Sequence, residues 1–220
     1  MNLIETNKEV FELYYQFLIE ENNKYNLTAI TDKNEVYIKH YADSLLLSSC
    51  VDLKNNVSIC DVGSGAGFPG IPLKICFPNI DLTIIEPTQK RVKFLKALCE
   101  KLNIKVNIIN SRVEDVASDF EEKFDIVTAR AVASTNILVE LLAKICKVNG
   151  NIVLYKGDKA EEELKNAQKA MQVLSLNVQS IKQFELEQGY GTRNLIVLTK
   201  MKSTGNKYPR RYAEIIRKPL

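Results

Sequence analysis

Four glycines fall within eight residues in the segment Asp61-Val-Gly-Ser-Gly-Ala-Gly-Phe-Pro-Gly70. A short apolar run, residues 57–62, leads into this segment, and residues with helical spacing follow it. The pattern predicts a tight turn between a strand and a helix. Doubly wound α/β folds bind their cofactors at such a turn. The alternative is a turn that only packs a strand against a helix, and the number of glycines argues against it.

From residue 57 onward, short apolar runs alternate with longer amphipathic ones. This alternation predicts βαβ units and a Rossmann-like, doubly wound α/β fold with a mostly parallel sheet. Strands are predicted at 57–62, 82–86, 106–110, 124–129 and 151–155, with a closing pair at 177–184 and 193–199. Helices are predicted at 69–77, 88–102, 113–119, 134–147 and 158–174. Asp158 and Glu161 have the spacing of a capping pair for the last of these helices.

Two amphipathic helices are predicted before the first strand. Thr6 and Glu9 have the spacing of a capping box, and apolar residues then recur at helical spacing. The second helix is predicted at about residues 35–50. We therefore divide the 220 residues into an N-terminal helical extension (1–54), an α/β core (55–202) and a basic C-terminal tail (203–220), all within one globular unit.

The composition is that of an ordinary soluble globule, with 45% apolar and 26% charged residues. The five cysteines are scattered and form no CxxC pair, which favours reduced thiols in the cytoplasm, without disulfides or a metal site. The N-terminus lacks a signal-peptide pattern, and no apolar run approaches the roughly 20 residues of a membrane span. The prediction is a cytoplasmic protein without a membrane partner.

Positive charge is concentrated at the C-terminus. The net charge is +3, but residues 200–220 contain seven basic residues and one acid. Tyr208 and Tyr212 lie among these cations, a composition typical of surfaces that contact phosphates and stack on bases. The tail is therefore predicted to contact a polyanion, and the alternative is a solvated, frayed terminus. The candidate contacts are Lys207, Arg210, Arg211, Arg217 and Lys218.

The ligand of the glycine turn can be inferred from its charge. Gly65, Gly67 and Gly70 match G-x-G-x-x-G, and Glu86 follows Gly65 by 21 residues, so a dinucleotide fits the spacing. Asp61 favours another ligand, because a carboxylate repels a pyrophosphate but attracts the ammonium or sulfonium of S-adenosylmethionine. With Gly63, the segment reads D-x-G-x-G-x-G, the pattern of class I methyltransferases. We therefore predict a methyl-donor site.

Two further segments are predicted to complete this site. Glu86 ends the second strand, where its carboxylate can accept from two ribose hydroxyls. Val113 and Glu114 follow the third strand, where Val113 can pack on the adenine and the pair can bond its edge. The alternative for Glu114 is that it only caps a short helix, and the sequence leaves both interpretations open.

Several motifs together resemble one family, the ribosomal small-subunit methyltransferase G family, also called glucose-inhibited division protein B. The resemblance rests on GSGAGFPG at 63–70, Lys90-Arg91-Val-Lys-Phe-Leu95, Ala129-Arg130-Ala131, Lys156-Gly157, Asn26-Leu-Thr-Ala29, His40-Tyr-Ala-Asp-Ser44, Tyr208-Pro-Arg-Arg211 and Lys218-Pro-Leu220. It implies an S-adenosylmethionine-dependent class I methyltransferase that modifies N7 of one guanine in 16S rRNA. It also implies that Gly63, Phe68, Val113, Glu114 and Arg130 line the cofactor site.

The chemistry implied by this resemblance agrees with what the sequence lacks. Guanine N7 carries a lone pair and no proton, so its attack on a methyl group needs alignment and no general base. The chain has neither an Asn/Asp-Pro-Pro-Tyr motif nor a Pro-Cys pair. We therefore assign no residue as an acid or base, and Arg130 is the positioning candidate. It could bond guanine O6, a phosphate or the donor carboxylate, or form a salt bridge with Asp61 or Glu114.

The sequence leaves open the roles of two other residues in these motifs, His40 and Lys156. His40 is the single histidine, and we expect a structural bond to Asp43 or to a backbone carbonyl. Lys156 follows the fifth strand and is a further candidate contact with RNA.

The expected partner is 16S rRNA or the small ribosomal subunit, and the protein is expected to act as a monomer. Deleting residues 203–220 is expected to weaken RNA binding and spare cofactor binding. The alternatives are a methyltransferase for a small molecule or a protein, a non-catalytic RNA-binding assembly factor, and a dinucleotide oxidoreductase, which the charge of Asp61 disfavours.

Overall fold

The structure, a computed structural model, describes residues 3–54 and 56–220. The strands are β1 Ser58–Val62, β2 Asp81–Ile85, β3 Asn107–Ile109, β4 Phe124–Arg130, β5 Cys146–Lys156, β6 Leu176–Glu185 and β7 Thr192–Lys200. They form one seven-stranded sheet in the order β3-β2-β1-β4-β5-β7-β6. The first five strands pair in parallel, and β7 is antiparallel to both β5 and β6. This is the predicted doubly wound α/β fold.

The helices are α1 Leu3–Thr6, α2 Lys8–Tyr25, α3 Lys33–Val36, α4 Asp43–Leu45, α5 Gly70–Cys76, α6 Gln89–Lys101, α7 Val113–Val116, α8 Thr135–Ala143, α9 Ala160–Asn166, α10 Gln168–Val173 and α11 Tyr212–Arg217. A π-helical segment, Tyr37–Ala42, joins α3 to α4, and a 3₁₀ segment, Leu46–Ser49, follows α4. A 3₁₀ turn, Glu187–Gly189, separates β6 from β7. None of the described helices is long and apolar enough to cross a membrane.

Successive side chains of a strand point to opposite faces of the sheet, and an apolar core lies on each face. Ile59 of β1 lies in the first core, and the next residue, Cys60, lies in the second. The first core also contains Phe11 and Tyr14 of α2 and Phe68 of the glycine turn. The N-terminal helices therefore bury their apolar side chains in the same core as the sheet. The predicted boundary after residue 54 borders Asn55, which lies outside the described residues.

Three predicted details of the helices are wrong. The helix predicted at 134–147 ends at Ala143, because β5 already starts at Cys146, which pairs with Phe124. The helix predicted at 158–174 is two helices divided at Ala167, and Lys159, not Asp158, is the N-cap. At the N-terminus, the predicted capping box at Thr6 gives way to Asn7, which caps α2 without a side-chain bond.

Candidate active site

The glycine turn is bonded to the end of the neighbouring strand. The Gly63 N–H donates to the Ile85 carbonyl at 2.8 Å, and the Gly65 N–H donates to Glu86 Oε2 at 3.0 Å. Gly65 and Gly67 both have a positive φ, +61° and +104°. A Cβ on Gly67 would lie 2.6 Å from the Tyr14 hydroxyl, whereas one on Gly65 would meet no described atom within 4 Å. Gly67 is therefore required for packing, while Gly65 borders open space.

Asp61 lies beneath this turn and is fully buried. Its Oδ2 accepts from the Gly70 N–H at 2.8 Å, but Oδ1 has no hydrogen-bond partner among the described residues. Burial raises the pKa of Asp61 to about 6, against the opposing effects of the Gly70 N–H, the Ser64 hydroxyl and Arg130. The Ser64 Oγ is also buried and lies outside hydrogen-bonding geometry. The Ser64 hydroxyl is thus close enough to Asp61 to lower its pKa without a formed hydrogen bond, and Asp61 Oδ1 can accept from an ammonium group.

Glu86, the acid that follows β2, is fully buried beside the turn. Its Oε1 accepts from the Thr88 N–H at 2.9 Å, and Arg91 Nη1 lies 3.7 Å from the same oxygen. Because a carboxylate offers about four acceptor positions, Glu86 can hold the turn and still accept from hydroxyl groups.

A cavity of about 190 Å³ opens on this turn. It is lined by Leu27, Thr28, His40, Gly63, Ser64, Gly65, Ala66, Phe68, Arg91, Arg130 and Ala131. The structure thus brings the predicted residues Gly63, Gly65, Phe68 and Arg130 together. Val113 is instead buried in the second core, and Glu114 Oε1 lies 3.7 Å from Arg112 Nη1. The other predicted cofactor residues that do not line this cavity are Asp61, Gly67 and Glu86.

Arg130 has a different ionic partner from those considered in the sequence. Its Nη1 donates to Asp43 Oδ2 at 2.6 Å and to the Lys39 carbonyl at 3.2 Å. The alternative interpretation, a salt bridge with Asp61 or Glu114, is therefore wrong, because the N-terminal helices carry Asp43 across the end of β4. The other oxygen of Asp43 accepts from Arg193 Nε at 2.5 Å. One fully buried carboxylate thus joins two arginines.

His40 is neutral and stacked. Its ring lies on Phe68 with centroids 4.5 Å apart, and its Nε2 is 3.0 Å from Thr28 Oγ1. Nδ1 is 3.3 Å from Arg130 Nη2, and since a guanidinium only donates, Nδ1 must accept and Nε2 must carry the proton. Burial and the Arg130 charge lower the pKa of His40 to about 3. The expected bond from this ring to Asp43 is not formed.

A second cavity, of about 430 Å³, lies beyond the ends of β4 and β5. It shares His40, Arg130 and Ala131 with the cavity on the glycine turn. The other lining residues are Ile30, Lys39, Asp43, Ala133, Tyr155, Lys156, Gly157, Glu163, Leu186, Tyr190 and Arg193. Sequence reasoning missed Arg193, Tyr190 and Glu163, since no motif marks them. The sequence places Asp43 in the motif at 40–44 and predicts for it only a bond to His40.

Several predicted RNA contacts have partners within the protein. Lys156 is buried, and its Nζ donates to the Ala133 carbonyl and to Glu163 Oε2, both at 2.8 Å. Arg210 donates through Nε and Nη2 to the buried Glu140, at 2.7 and 2.6 Å. By contrast, Lys207, Arg211, Arg217 and Lys218 are exposed.

The tail is an ordered element that packs on the sheet. Tyr208 and Ile215 are buried in the second core. Lys200, at the end of β7, is fully buried and bonds Glu122 Oε1 at 3.1 Å. The Arg112 guanidinium lies 5.7 Å from the Tyr212 ring, so α11 also adjoins the turn before α7.

Comparison with known proteins identifies the family. Residues 7–196 match the family model described as GidB, rRNA small subunit methyltransferase G. The chain belongs to this family. Its relatives include a protein named ribosomal RNA small subunit methyltransferase G from Ligilactobacillus salivarius, 46% identical over all of this chain and 94% of that protein. A protein of the same name from Mycoplasma capricolum is 48% identical over 96% of this chain and 90% of its own length.

Solved structures show the same fold in methyltransferases of low sequence identity. A SAM-dependent methyltransferase from Aquifex aeolicus superimposes with a TM-score of 0.57 at 16% identity, over 76% of this chain and 93% of that one. TYW2 from M. jannaschii, solved in complex with AdoMet, has a TM-score of 0.57 at 16% identity, over 73% of this chain and 74% of that one. This methyltransferase G family member therefore has a class I methyltransferase fold.

Proposed function

We propose that this member of the methyltransferase G family transfers a methyl group from S-adenosylmethionine to N7 of one guanine in 16S rRNA. The observation that carries the proposal is the junction of two cavities at His40, Arg130 and Ala131. One cavity opens on the glycine turn and would hold the donor, and the other would hold the base. Membership of the family supports the choice of rRNA as the acceptor.

The residues on the donor side are suited to the parts of S-adenosylmethionine. The unpaired Asp61 Oδ1 would accept from its ammonium, and Glu86 would accept from its ribose hydroxyls. A Cβ on Gly65 would lie in open space in front of the turn. Because glycine has no side chain, the donor can approach the backbone closely there. Val113 and Glu114 are proposed neighbours of the adenine, because they follow the end of β3. When bound, the sulfonium supplies an electrophilic methyl group.

On the acceptor side, the residues would align the base and exclude water. His40 is neutral, and its one free lone pair faces Arg130, so it has no capacity to remove a proton. This agrees with attack by N7, which has no proton to lose. Arg130 and Arg193 place cationic donors in the cavity, where either can bond guanine O6 beside N7.

The remaining parts of the proposal concern the partner and the setting. Lys207, Arg211, Arg217 and Lys218 are proposed phosphate contacts, because they are exposed cations on an ordered tail. Lys156 and Arg210 are left out, since intramolecular carboxylates already bind them. We also propose that the protein works as a monomer in the cytoplasm, where its free cysteines would stay reduced.

The direct test is methyl transfer with tritiated S-adenosylmethionine, using deproteinised 16S rRNA and small subunits. Label in the rRNA that is released by chemistry specific for 7-methylguanine is the expected result. Label in a protein or a small molecule, or donor binding without transfer to any ribosomal substrate, would contradict the proposal.

A matched pair of variants links the label to the donor site. Glu86→Ala removes the buried acid and is expected to abolish labelling through loss of donor affinity. Glu161→Ala removes an exposed acid on α9 and is expected to label rRNA as the wild type does.

A further inference from the structure

We infer that the exposed face of α6 binds the phosphate backbone of the RNA substrate; this inference rests on the proposed function. Helix α6 carries five basic residues and one acid, a net charge of +4. The rest of the chain has 25 basic and 26 acidic residues. One helix of 13 residues therefore carries more positive charge than the whole protein shows as its net value.

The cations of α6 lie on one side of the helix. Val92, Phe94, Leu95, Leu98 and Cys99 are buried, and Phe94 stacks on Phe17 of α2. Lys90, Lys93 and Lys96 are exposed and follow one another at three-residue intervals. They therefore form a band about 9 Å long on the solvent side of the first two turns. We name these three residues the α6 basic face.

The α6 basic face has no counter-charge in the part of the chain that the structure describes. Within residues 3–54 and 56–220, no carboxylate lies in salt-bridge distance of Lys90, Lys93 or Lys96. The acid of the helix, Glu100, lies at its far end. In the C-terminal tail, by contrast, the Arg210 charge is already neutralised by Glu140. The charge of α6 is thus available to an external anion.

The position of these charges costs stability, which favours a functional role. The first turn of α6 contains Lys90 and Arg91 and no acid. Cations in the first turn oppose the helix dipole. Arg91 is partly compensated by Glu86 Oε1, which lies 3.7 Å from its Nη1, whereas Lys90 has no such partner among the described residues. A phosphate placed beside Lys90 would relieve this opposition.

The α6 basic face also begins at the rim of the donor cavity. Arg91 lines that cavity together with Arg130, and it is flanked in sequence by Lys90 and by Val92, which precedes Lys93. An RNA strand that inserts a base beside Arg130 would therefore have the cations of α6 on the side of the donor cavity that Arg91 lines. Phosphate contacts of this kind position a nucleic acid without reading its sequence.

The test compares two triple variants with equal loss of charge. Lys90→Gln, Lys93→Gln and Lys96→Gln together remove the α6 basic face. Lys105→Gln, Lys165→Gln and Lys169→Gln together remove three exposed lysines elsewhere. Affinity for 16S rRNA is measured at several salt concentrations, with donor affinity and thermal unfolding measured in parallel.

The α6 variant is expected to bind rRNA roughly tenfold more weakly at about 0.1 M salt and to lose about 2 from the slope of log K against log salt concentration. Its donor affinity should match that of the control variant, and its unfolding temperature should be no lower, because the substitution removes a cation from the first turn of α6. Equal rRNA affinity and slope in the two variants would overturn the inference. Unchanged binding to bare rRNA with lost binding to small subunits would also overturn it, because the contact would then be to protein.

A single charge reversal guards against misfolding of the triple variant. Lys93 lies in the middle of the α6 basic face, so Lys93→Glu should weaken rRNA binding more than Lys169→Glu does. Failure of the wild type to label rRNA would remove the proposed function itself. A wild type that labels rRNA beside an α6 variant equal to its control would remove this inference alone.

Discussion

Asp61 is fully buried, and one of its carboxylate oxygens has no partner among the described residues. Burial raises its pKa to about 6, so the residue is ionised at neutral pH only at a cost. A bound ammonium would compensate this cost. Arg130 and Glu86 are the nearby charges that act on Asp61, in opposite directions. His40, with a pKa of about 3, stays neutral at pH values near 6.

The first prediction is that donor affinity falls as the pH drops below about 6. A raised carboxylate pKa means that Asp61 gains a proton there and can no longer attract an ammonium. Between pH 7 and pH 5 the affinity for S-adenosylmethionine should fall about tenfold. The measurement is isothermal titration calorimetry at fixed ionic strength. Asp61→Asn should bind weakly at every pH, and a persisting pH dependence in that variant would assign the titration to another group.

The second prediction concerns the stability of the unliganded protein. Because the folded pKa lies above the unfolded value of 3.8, ionised Asp61 destabilises the fold, with the penalty growing from about pH 4 to pH 6. Asp61→Asn should therefore raise the free energy of unfolding at pH 7 by about 2–3 kcal/mol. The amide can still accept from the Gly70 N–H. Denaturant unfolding at pH 7 and pH 4 checks this, and a gain of equal size at both pH values would contradict it.

The third prediction separates ligand space from backbone strain at Gly65. Gly65 and Gly189 both have positive φ, +61° and +72°, and a Cβ on either would meet no described atom within 4 Å. Alanine at either position should cost about 1 kcal/mol of stability. Only Gly65→Ala should weaken donor binding, because its methyl group would enter the donor cavity. Equal donor affinity in the two variants would remove Gly65 from the site.

At the scale of elements, the C-terminal tail combines structural and exposed cations. Tyr208 and Ile215 are buried, and Glu140 would be left buried without Arg210 if the tail were removed. Deletion of Ser203–Leu220 should therefore destabilise the whole protein. A deletion that destabilises the fold cannot show whether the donor site is spared, so point variants in the tail are used to separate RNA binding from stability.

The fourth prediction is that the arginines of the tail fall into two classes. Arg210→Gln should lower the free energy of unfolding by about 3 kcal/mol, because it strands a buried carboxylate. Arg211→Gln with Arg217→Gln should change it by less than about 0.5 kcal/mol, since both residues are exposed, and should weaken rRNA binding. Thermal unfolding and rRNA titration distinguish the classes. Equal unfolding temperatures for all variants would contradict the packed tail.

At the scale of the whole molecule, Asp43 joins three distant segments. It lies in α4, whereas its two partners, Arg130 and Arg193, end β4 and begin β7. The N-terminal helices also share the first core with the sheet. Helices and sheet should therefore unfold together.

The fifth prediction is a single unfolding transition that shifts as a unit in Asp43→Ala. The substitution leaves two guanidinium groups without their shared carboxylate and should cost about 3–5 kcal/mol. Circular dichroism and tyrosine fluorescence should give the same midpoint, lowered in this variant and unchanged in Asp119→Ala, which removes an exposed acid. Two separate midpoints would show that the N-terminal helices are an independent unit.

The positions of the strands and the glycine turn could be predicted from residue pattern, because apolar periodicity and turn-forming residues are local to the chain. Alternating apolar and amphipathic runs predicted every strand and a mostly parallel sheet, whereas the strand order is seen only in the structure. The first five residues of β5, 146–150, were not predicted as strand. The pairing of Cys146 with Phe124 outweighs the helical pattern of residues 144–147. The periodicity of residues along the chain carries no information about pairing with a strand that is distant in sequence.

Residue pattern also placed Asp61 and Glu86 beside the glycine turn, since Asp61 adjoins the turn in sequence and Glu86 follows it by one βα unit. The partner of Arg130 could not be found in this way. Asp43 lies 87 residues from Arg130 and 150 from Arg193, and nothing in their spacing links them. Only the packing of the N-terminal helices across the sheet brings the three charges together. The cavity beyond the ends of β4 and β5 and the internal partners of Lys156 and Arg210 likewise exist only in the tertiary structure, because burial decides which cations keep a free charge.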